Sequence, residues 1–313
     1  MRTSKFFLFF IVAFVFISID LTAQSNTNED SLGKPVFKIQ LDYLNNYVYN
    51  GRVDSIKAPY QITTASLNFG NGIYANLIAN YLLTPNENRF DFFEFDLGYQ
   101  YKLGKKWTGE IYGSKYSYSS QSNLLNGDIT SDFGATANYD FGIFQFNNTF
   151  DVFFSGKSDF QYMPGIEKTF EFGESNSKWE ITPGIYSVFS SLNYYESVLT
   201  RKQNALKNLK TKPGQPANTV QTANVLSTTT ILEKGVKLLD MEMSLPISYQ
   251  TNNWSIVFTP TWAIPYHPIH TLTVNSTTLP NGSTSSNKID STPYSERFLN
   301  NQFYFQIGFN YKF

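Results

Sequence analysis

The reactive side chains of this chain are few, and they bound what chemistry it can do. It has two histidines and no cysteine in 313 residues, which excludes a thiolate metal site and a disulfide framework. His267 and His270 share the segment Tyr266-His267-Pro268-Ile269-His270, and the nearest acids in sequence are Asp290 and Glu296. A metal site needs further ligands close by, so the pair reads as loop histidines. The serines are scattered through polar stretches, with no setting in which a histidine and a carboxylate would activate one. Gly70-Asn71-Gly72 and Pro280-Asn281-Gly282 are turn chemistry, the first suited to a hairpin. No phosphate-binding or dinucleotide motif occurs. The expectation is no enzyme and no cofactor.

The carboxylates are more informative. Asp42, Glu94, Asp96, Glu110, Asp132, Asp151, Glu167, Glu171, Glu180, Asp240 and Glu242 all fall on the polar parity of alternating segments, against only Lys38, Lys102 and Lys312. Fixed negative charge of this kind orders water or attracts cations. What positions it is strand periodicity, which sends successive side chains to opposite faces. Phe93, Phe95, Leu97, Tyr99, Tyr101 and Leu103 alternate with Glu94, Asp96, Gly98, Gln100 and Lys102. Residues 302–313 and 237–250 repeat the pattern, the latter placing Leu239, Met241, Met243, Leu245, Ile247 and Tyr249 on the greasy side. Helical periodicity does not produce such runs.

Twelve segments of this kind are expected near 36–45, 60–69, 72–83, 90–103, 107–118, 129–140, 143–154, 159–172, 178–192, 236–250, 254–264 and 297–313. Most reach the length of about 9 to 11 residues that a tilted strand needs to cross a bilayer. Short turns at 70–72, 104–106, 140–142, 173–177 and 251–253 alternate with longer loops near 46–59, 84–89, 119–128, 193–235 and 265–296. An all-β fold follows, a transmembrane antiparallel up-and-down β-barrel of about 12 strands over residues 35–313. Pro164, Pro183, Pro246 and Pro260 interrupt proposed strands and should mark bulges or breaks. Asn148 and Lys168 fall on the greasy parity, so ten or fourteen strands are also compatible. The 29 Phe and 21 Tyr suit a sheet that meets lipid.

Arg2 and Lys5 precede an apolar run from Phe6 to Ser18, too short to span a bilayer as a helix. It reads as a signal peptide cleaved after Ala23, and residues 24–34 as a flexible periplasmic lead-in. No later apolar run is long enough for a transmembrane helix, and a net charge of -1 argues against nucleic acid as a partner.

The final strand alternates aromatic residues and ends on one, and through Tyr311 and Phe313 it resembles the C-terminal assembly signal of Gram-negative outer-membrane proteins. That resemblance implies insertion by the barrel-assembly machinery, hence an outer-membrane location. Asn46-Tyr47-Val48-Tyr49-Asn50-Gly51-Arg52, followed by tyrosine-rich strands to residue 118, is similar to the TorF-like Gcw_chp outer-membrane proteins, although Asn50 rather than Arg precedes the glycine. That family carries no defined activity to transfer.

Two functions fit. The acidic inward parity suggests a narrow cation-preferring channel or porin for small solutes. The long loops suggest instead a non-conducting barrel that works through them as adhesin, receptor or enzyme. The basic run containing Arg201, Lys202, Lys207, Lys210 and Lys212 has two candidate destinations, lipopolysaccharide phosphates outside or the acidic lumen inside as a plug. Oligomeric state is left open.

Overall fold

The computed structural model describes residues 34–53, 57–85, 87–122, 124, 126–174, 176–193, 196, 224–232, 235–278, 283–290 and 299–313. The signal peptide, the lead-in to residue 33 and the basic run 201–212 lie outside the described residues.

The first half of the chain forms β1 (Val36–Leu44), β2 (Val48–Tyr49), β3 (Arg52–Val53), β4 (Tyr60–Asn68), β5 (Ile73–Leu83), β6 (Asn88–Leu103), β7 (Trp107–Tyr118), β8 (Ser131–Asp140) and β9 (Gln145–Phe154). Then come β10 (Ser158–Glu167), β11 (Phe170–Glu174), β12 (Ser177–Ile181), β13 (Gly184–Ser190), β14 (Asn224–Ile231), β15 (Lys237–Ser244) and β16 (Ile247–Thr251). The chain ends with β17 (Trp254–Pro265), β18 (Thr271–Thr278), β19 (Thr284–Asp290) and β20 (Gln302–Lys312).

One large antiparallel sheet runs β1-β4-β5-β6-β7-β8-β9-β10-β13-β15-β17-β20, and β20 pairs back onto β1. Strands β11, β12 and β16 continue β10, β13 and β15 without change of register. The result is a closed barrel of twelve staves, with the start of β1 and the end of β20 at the short-turn rim. In an outer-membrane barrel that rim faces the periplasm.

The proline expectation is half met. Breaks fall at Thr182-Pro183 and Leu245-Pro246, while Pro164 and Pro260 stay inside β10 and β17. None of the four carries a register shift. The shifts lie elsewhere: at Asn80/Tyr81, leaving Asp91 as the extra residue of β6, and at Val188/Phe189, leaving Leu239 as the extra residue of β15. Each bulge turns two successive residues inward, Asp91 with Phe92 and Leu239 with Asp240, all buried. Leu239 is therefore not on the greasy outer face where strict alternation puts it. Asn148 does lie on the outer face, and it is satisfied there: its Nδ2 donates to the Ala137 carbonyl at 3.1 Å and its Oδ1 accepts from Tyr162 at 2.8 Å. Lys168 likewise spends its ammonium on the Gly142 carbonyl at 2.6 Å.

The long loops carry structure of their own. Strands β14, β18 and β19 form a three-stranded sheet that joins the two longest loops, where the sequence reads as solvated loop. The first long loop folds back as the β2–β3 hairpin.

Outward residues make the surface apolar. Phe95, Leu97, Tyr99, Ile111, Phe150, Phe160, Ile185 and Ile256 all lie about half exposed. Aromatic rings gather near the short-turn rim, with Trp107–Tyr139 at 4.8 Å, Tyr139–Phe141 at 4.6 Å and Trp179–Tyr249 at 5.0 Å. A second group sits toward the opposite rim, where Tyr81–Phe90 and Trp262–Phe303 lie 5.0 and 6.3 Å apart. Along β17, Trp254 and Trp262 mark the two girdles. Eight residues at about 3.3 Å each, tilted by about 40°, place them roughly 20 Å apart along the barrel axis. That approaches the 25 Å apolar band of about this kind of barrel.

Candidate functional site

The interior is where the polar parity converges, and the first long loop reaches across it at the long-loop end. Two residues in the left-handed region, Asn50 (φ 50°) and Gly51 (φ 71°), make the tight turn of the β2–β3 hairpin. An Asn-Gly pair between β-formers is the sequence that such a turn demands. Gly51 is needed a second time, because a Cβ there would lie 2.9 Å from the Cβ of Asp240 on β15. The tip thus crosses from the β1/β4 wall to the far wall. Gln161 on β10 donates to Asn50 Oδ1 at 2.8 Å. Arg52 donates to the Asn50 carbonyl at 2.7 Å and to the His267 carbonyl, tying the hairpin to the last long loop.

Behind the tip, Tyr47 and Tyr49 each enter an apolar cluster. Tyr47 packs on Leu44, Tyr60, Leu82, Phe92 and Leu124, with its ring 5.7 Å from that of Tyr60. Its hydroxyl accepts from Asn126 Nδ2 at 2.9 Å. Burial raises the Tyr47 phenol above its ordinary value, with the Asn126 hydrogen bond opposing, so it is neutral at physiological pH. Tyr49 packs on Ile129, Phe153, Leu192, Ile231, Leu239 and Ile269. Both rings are only partly buried, so withdrawing them into water would cost less than the about 3–6 kcal/mol of two fully buried side chains.

Below the seal lie three cavities in series. The upper, about 400 Å³, is lined by Asp42, Tyr47, Tyr49 and Glu94 among others. The middle, about 420 Å³, gathers Glu94, Asp96, Glu110, Asp132 and Asp151. The lower, about 620 Å³, opens among Lys102, Glu110, Asn147 and Glu167 toward the short-turn rim. Glu94 lines the first two and Glu110 the last two.

The eleven carboxylates do not all meet in this space. Asp240 and Glu242 sit across the barrel under the hairpin tip, the latter accepting from Tyr304 at 3.2 Å. Glu171 and Glu180 lie near the short-turn rim, both paired with Lys178, and the Glu171 side chain is 61% exposed. Lys38 and Lys312 face one another across β1 and β20.

Sequence reasoning missed the tyrosines. Tyr112 donates to Asp151 at 2.5 Å, Tyr60 to Asp91 at 2.6 Å, Tyr116 to Asp132 at 3.4 Å, and Tyr186 to Glu167. Tyr112 reaches past the neighbouring strand because Gly134 leaves room: a Cβ there would lie 2.4 Å from the ring. Their parity was the available signal, since Tyr112, Tyr116 and Tyr118 alternate with Ile111, Lys115 and Ser117.

Among the described residues no group of three or more His, Asp or Glu is arranged to hold a metal. His267 and His270 belong to the segment that packs over the mouth, where Ile269 is buried and the His270 carbonyl accepts from Leu232 at 3.0 Å. Tyr311 and Phe313 contact one another at 4.8 Å and face outward at the short-turn rim, where the Phe313 amide donates to the Phe37 carbonyl at 3.0 Å.

A closed barrel of even strand number with a polar interior, an apolar outer band and two aromatic girdles is an outer-membrane β-barrel. Among solved structures the chain overlaps a bacterial polysaccharide outer membrane secretin, at 9% identity and a TM-score of 0.31 over 91% of this chain and 100% of that one. It also overlaps Salmonella typhi OmpF in complex with daunomycin, at 8% identity and a TM-score of 0.30 over 90% and 97%, and Acinetobacter baumannii OccAB3, at 8% and 0.30 over 89% and 98%. Likeness this loose transfers no activity, solute or partner. No protein family and no curated relative matches the sequence.

Proposed function

We propose that this barrel is a narrow, cation-preferring channel for small solutes whose outer mouth is held shut by its first long loop. The observation that carries the reading is the middle cavity, where five carboxylates line about 420 Å³ within low-dielectric walls that focus their field. Asp151 and Asp132 accept from the phenols of Tyr112 and Tyr116 and Asp96 from the Asn76 amide, donors that add no positive charge. Twelve staves suit a passage of this size, between the filled interior of about eight strands and the open channel of about sixteen. The chain enters the membrane through the barrel-assembly machinery, with Tyr311 and Phe313 as its C-terminal signal after export on residues 1–23. The basic run 201–212 supplies positive charge for lipopolysaccharide phosphates, an attraction screened over about 8 Å at physiological salt.

The apolar seal favours a second reading, a non-conducting barrel that acts through its loops as a receptor, adhesin or enzyme. Reversal potential across a potassium chloride gradient in planar bilayers separates the two. The channel reading predicts cation selectivity that falls when Glu94, Asp132 and Asp151 are changed to Gln or Asn. No conductance from the intact protein or from one with a shortened hairpin leaves only the second reading.

A further inference from the structure

The upper cavity is lined differently from the two beneath it. Five rings, Tyr47, Tyr49, Phe92, Tyr116 and Phe153, and the side chains of Ile62, Ile78 and Ile129 make up most of its wall. Its two carboxylates are Asp42 and Glu94, and no Lys or Arg is among the described residues that line it. Its volume, about 400 Å³, falls at the small end of ligand sites, about 300–1,000 Å³.

The polar groups of this chamber are held apart by the sheet itself. Asp42, Ile62, Asn80 and Phe92 are successive cross-strand neighbours on the inward face, and Gln40, Thr64, Ile78 and Glu94 form the row beside them. Asp42 is buried at one end, where Gln40 donates to it at 2.7 Å and Gly308 on β20 leaves room, since a Cβ there would run into Asp42 Oδ1. Asn80 stands two strands away, roughly 9.6 Å at about 4.8 Å per step, with the apolar Ile62 between. Asn80 is only 4% exposed and Asn126, also in the lining, 7%. Asn80 Nδ2 and Asn126 Oδ1 nevertheless have no hydrogen-bond partner, which is rare for buried polar atoms.

We propose that the upper cavity is a binding site for a small aromatic amine that carries a hydroxyl at the end away from its ammonium. The ammonium pairs with Asp42, and Glu94 adds to the negative field. The ring lies against Ile62 among aromatic side chains whose faces also attract a cation. The hydroxyl accepts from Asn80 Nδ2, the orphaned donor. An inorganic cation gains little from so many apolar neighbours, an anion meets only negative charge, and a hydrocarbon leaves the two asparagines unpaired. Glu94, Tyr116 and Phe153 line both this cavity and the middle one, so the ligand has a way in from the lumen below the hairpin. Binding does not require conduction, and the site stands or falls apart from the channel reading.

The test is isothermal titration calorimetry of the intact protein in detergent with tyramine. One saturable site per chain is expected. Phenethylamine, which lacks the hydroxyl, should bind about tenfold more weakly, the effect of leaving one buried donor unpaired. Asp42→Asn should lower tyramine affinity at least tenfold, whereas Glu167→Gln in the lower cavity should change it by less than about twofold. Asn80→Leu should abolish the preference for tyramine over phenethylamine while phenethylamine still binds, and unheated gel mobility shows each variant barrel intact. No saturable binding, or an affinity that falls as far with Glu167→Gln as with Asp42→Asn, would overturn the site. A preference for tyramine that survives Asn80→Leu would overturn the placement of the hydroxyl.

Discussion

At the scale of single residues, the hairpin rests on two partly buried rings and one glycine. Tyr47→Ala should destabilise the barrel by about 2 kcal/mol, less than the about 3–5 kcal/mol of a fully buried ring because this one is partly buried, measured by urea unfolding in detergent. Asn126→Ala removes one hydrogen bond to Tyr47 and should cost about 1 kcal/mol. Equal costs for the two would mean that the ring is not the anchor. Gly51→Ala strains a left-handed backbone and presses on Asp240, so the tip should lift and residues 48–53 become open to protease in folded protein. Continued protection would place the tip elsewhere. The carboxylates were legible from parity because charge has one low-cost face in a lipid-facing strand. The tyrosines were not, because a phenol is at home at a lipid interface and equally in a polar lumen.

At the scale of elements, period two located the staves, and the alternation of short and long connections located the rims. Proline was a poor guide to register. Asp91 and Leu239, the residues that create the bulges, are ordinary strand occupants apart from their burial, and burial is settled by the opposite wall. The β2–β3 hairpin did carry a local signal, Asn50-Gly51 between Val48-Tyr49 and Arg52-Val53. Its inward fold depends on distant partners such as Gln161 and Asp240, which no local pattern supplies. Strands β14, β18 and β19 pair across loops far apart in sequence, with the same consequence. Because the hairpin closes the mouth, deleting residues 201–212 should leave conductance and selectivity unchanged. A larger, more cation-selective conductance after that deletion would transfer the plug to that segment. Deleting Phe313, whose amide extends the β1–β20 seam by one bond to Phe37, should lower the yield of inserted protein; normal yield would remove its role in assembly.

At the scale of the whole molecule, the closed ring and greasy exterior require detergent for solubility and predict faster gel migration unheated than boiled. A monomer soluble without detergent would contradict the membrane fold itself. The proposed channel turns on an acidic passage below a mouth sealed by the first long loop. The most direct measurement is single-channel conductance in planar bilayers, comparing the intact protein with one whose residues 48–53 are replaced by two glycines. A loop-sealed channel gives brief, rare openings in the intact protein and a steady, cation-selective conductance once the tip is gone. No conductance in either form, or the same conductance in both, would contradict it.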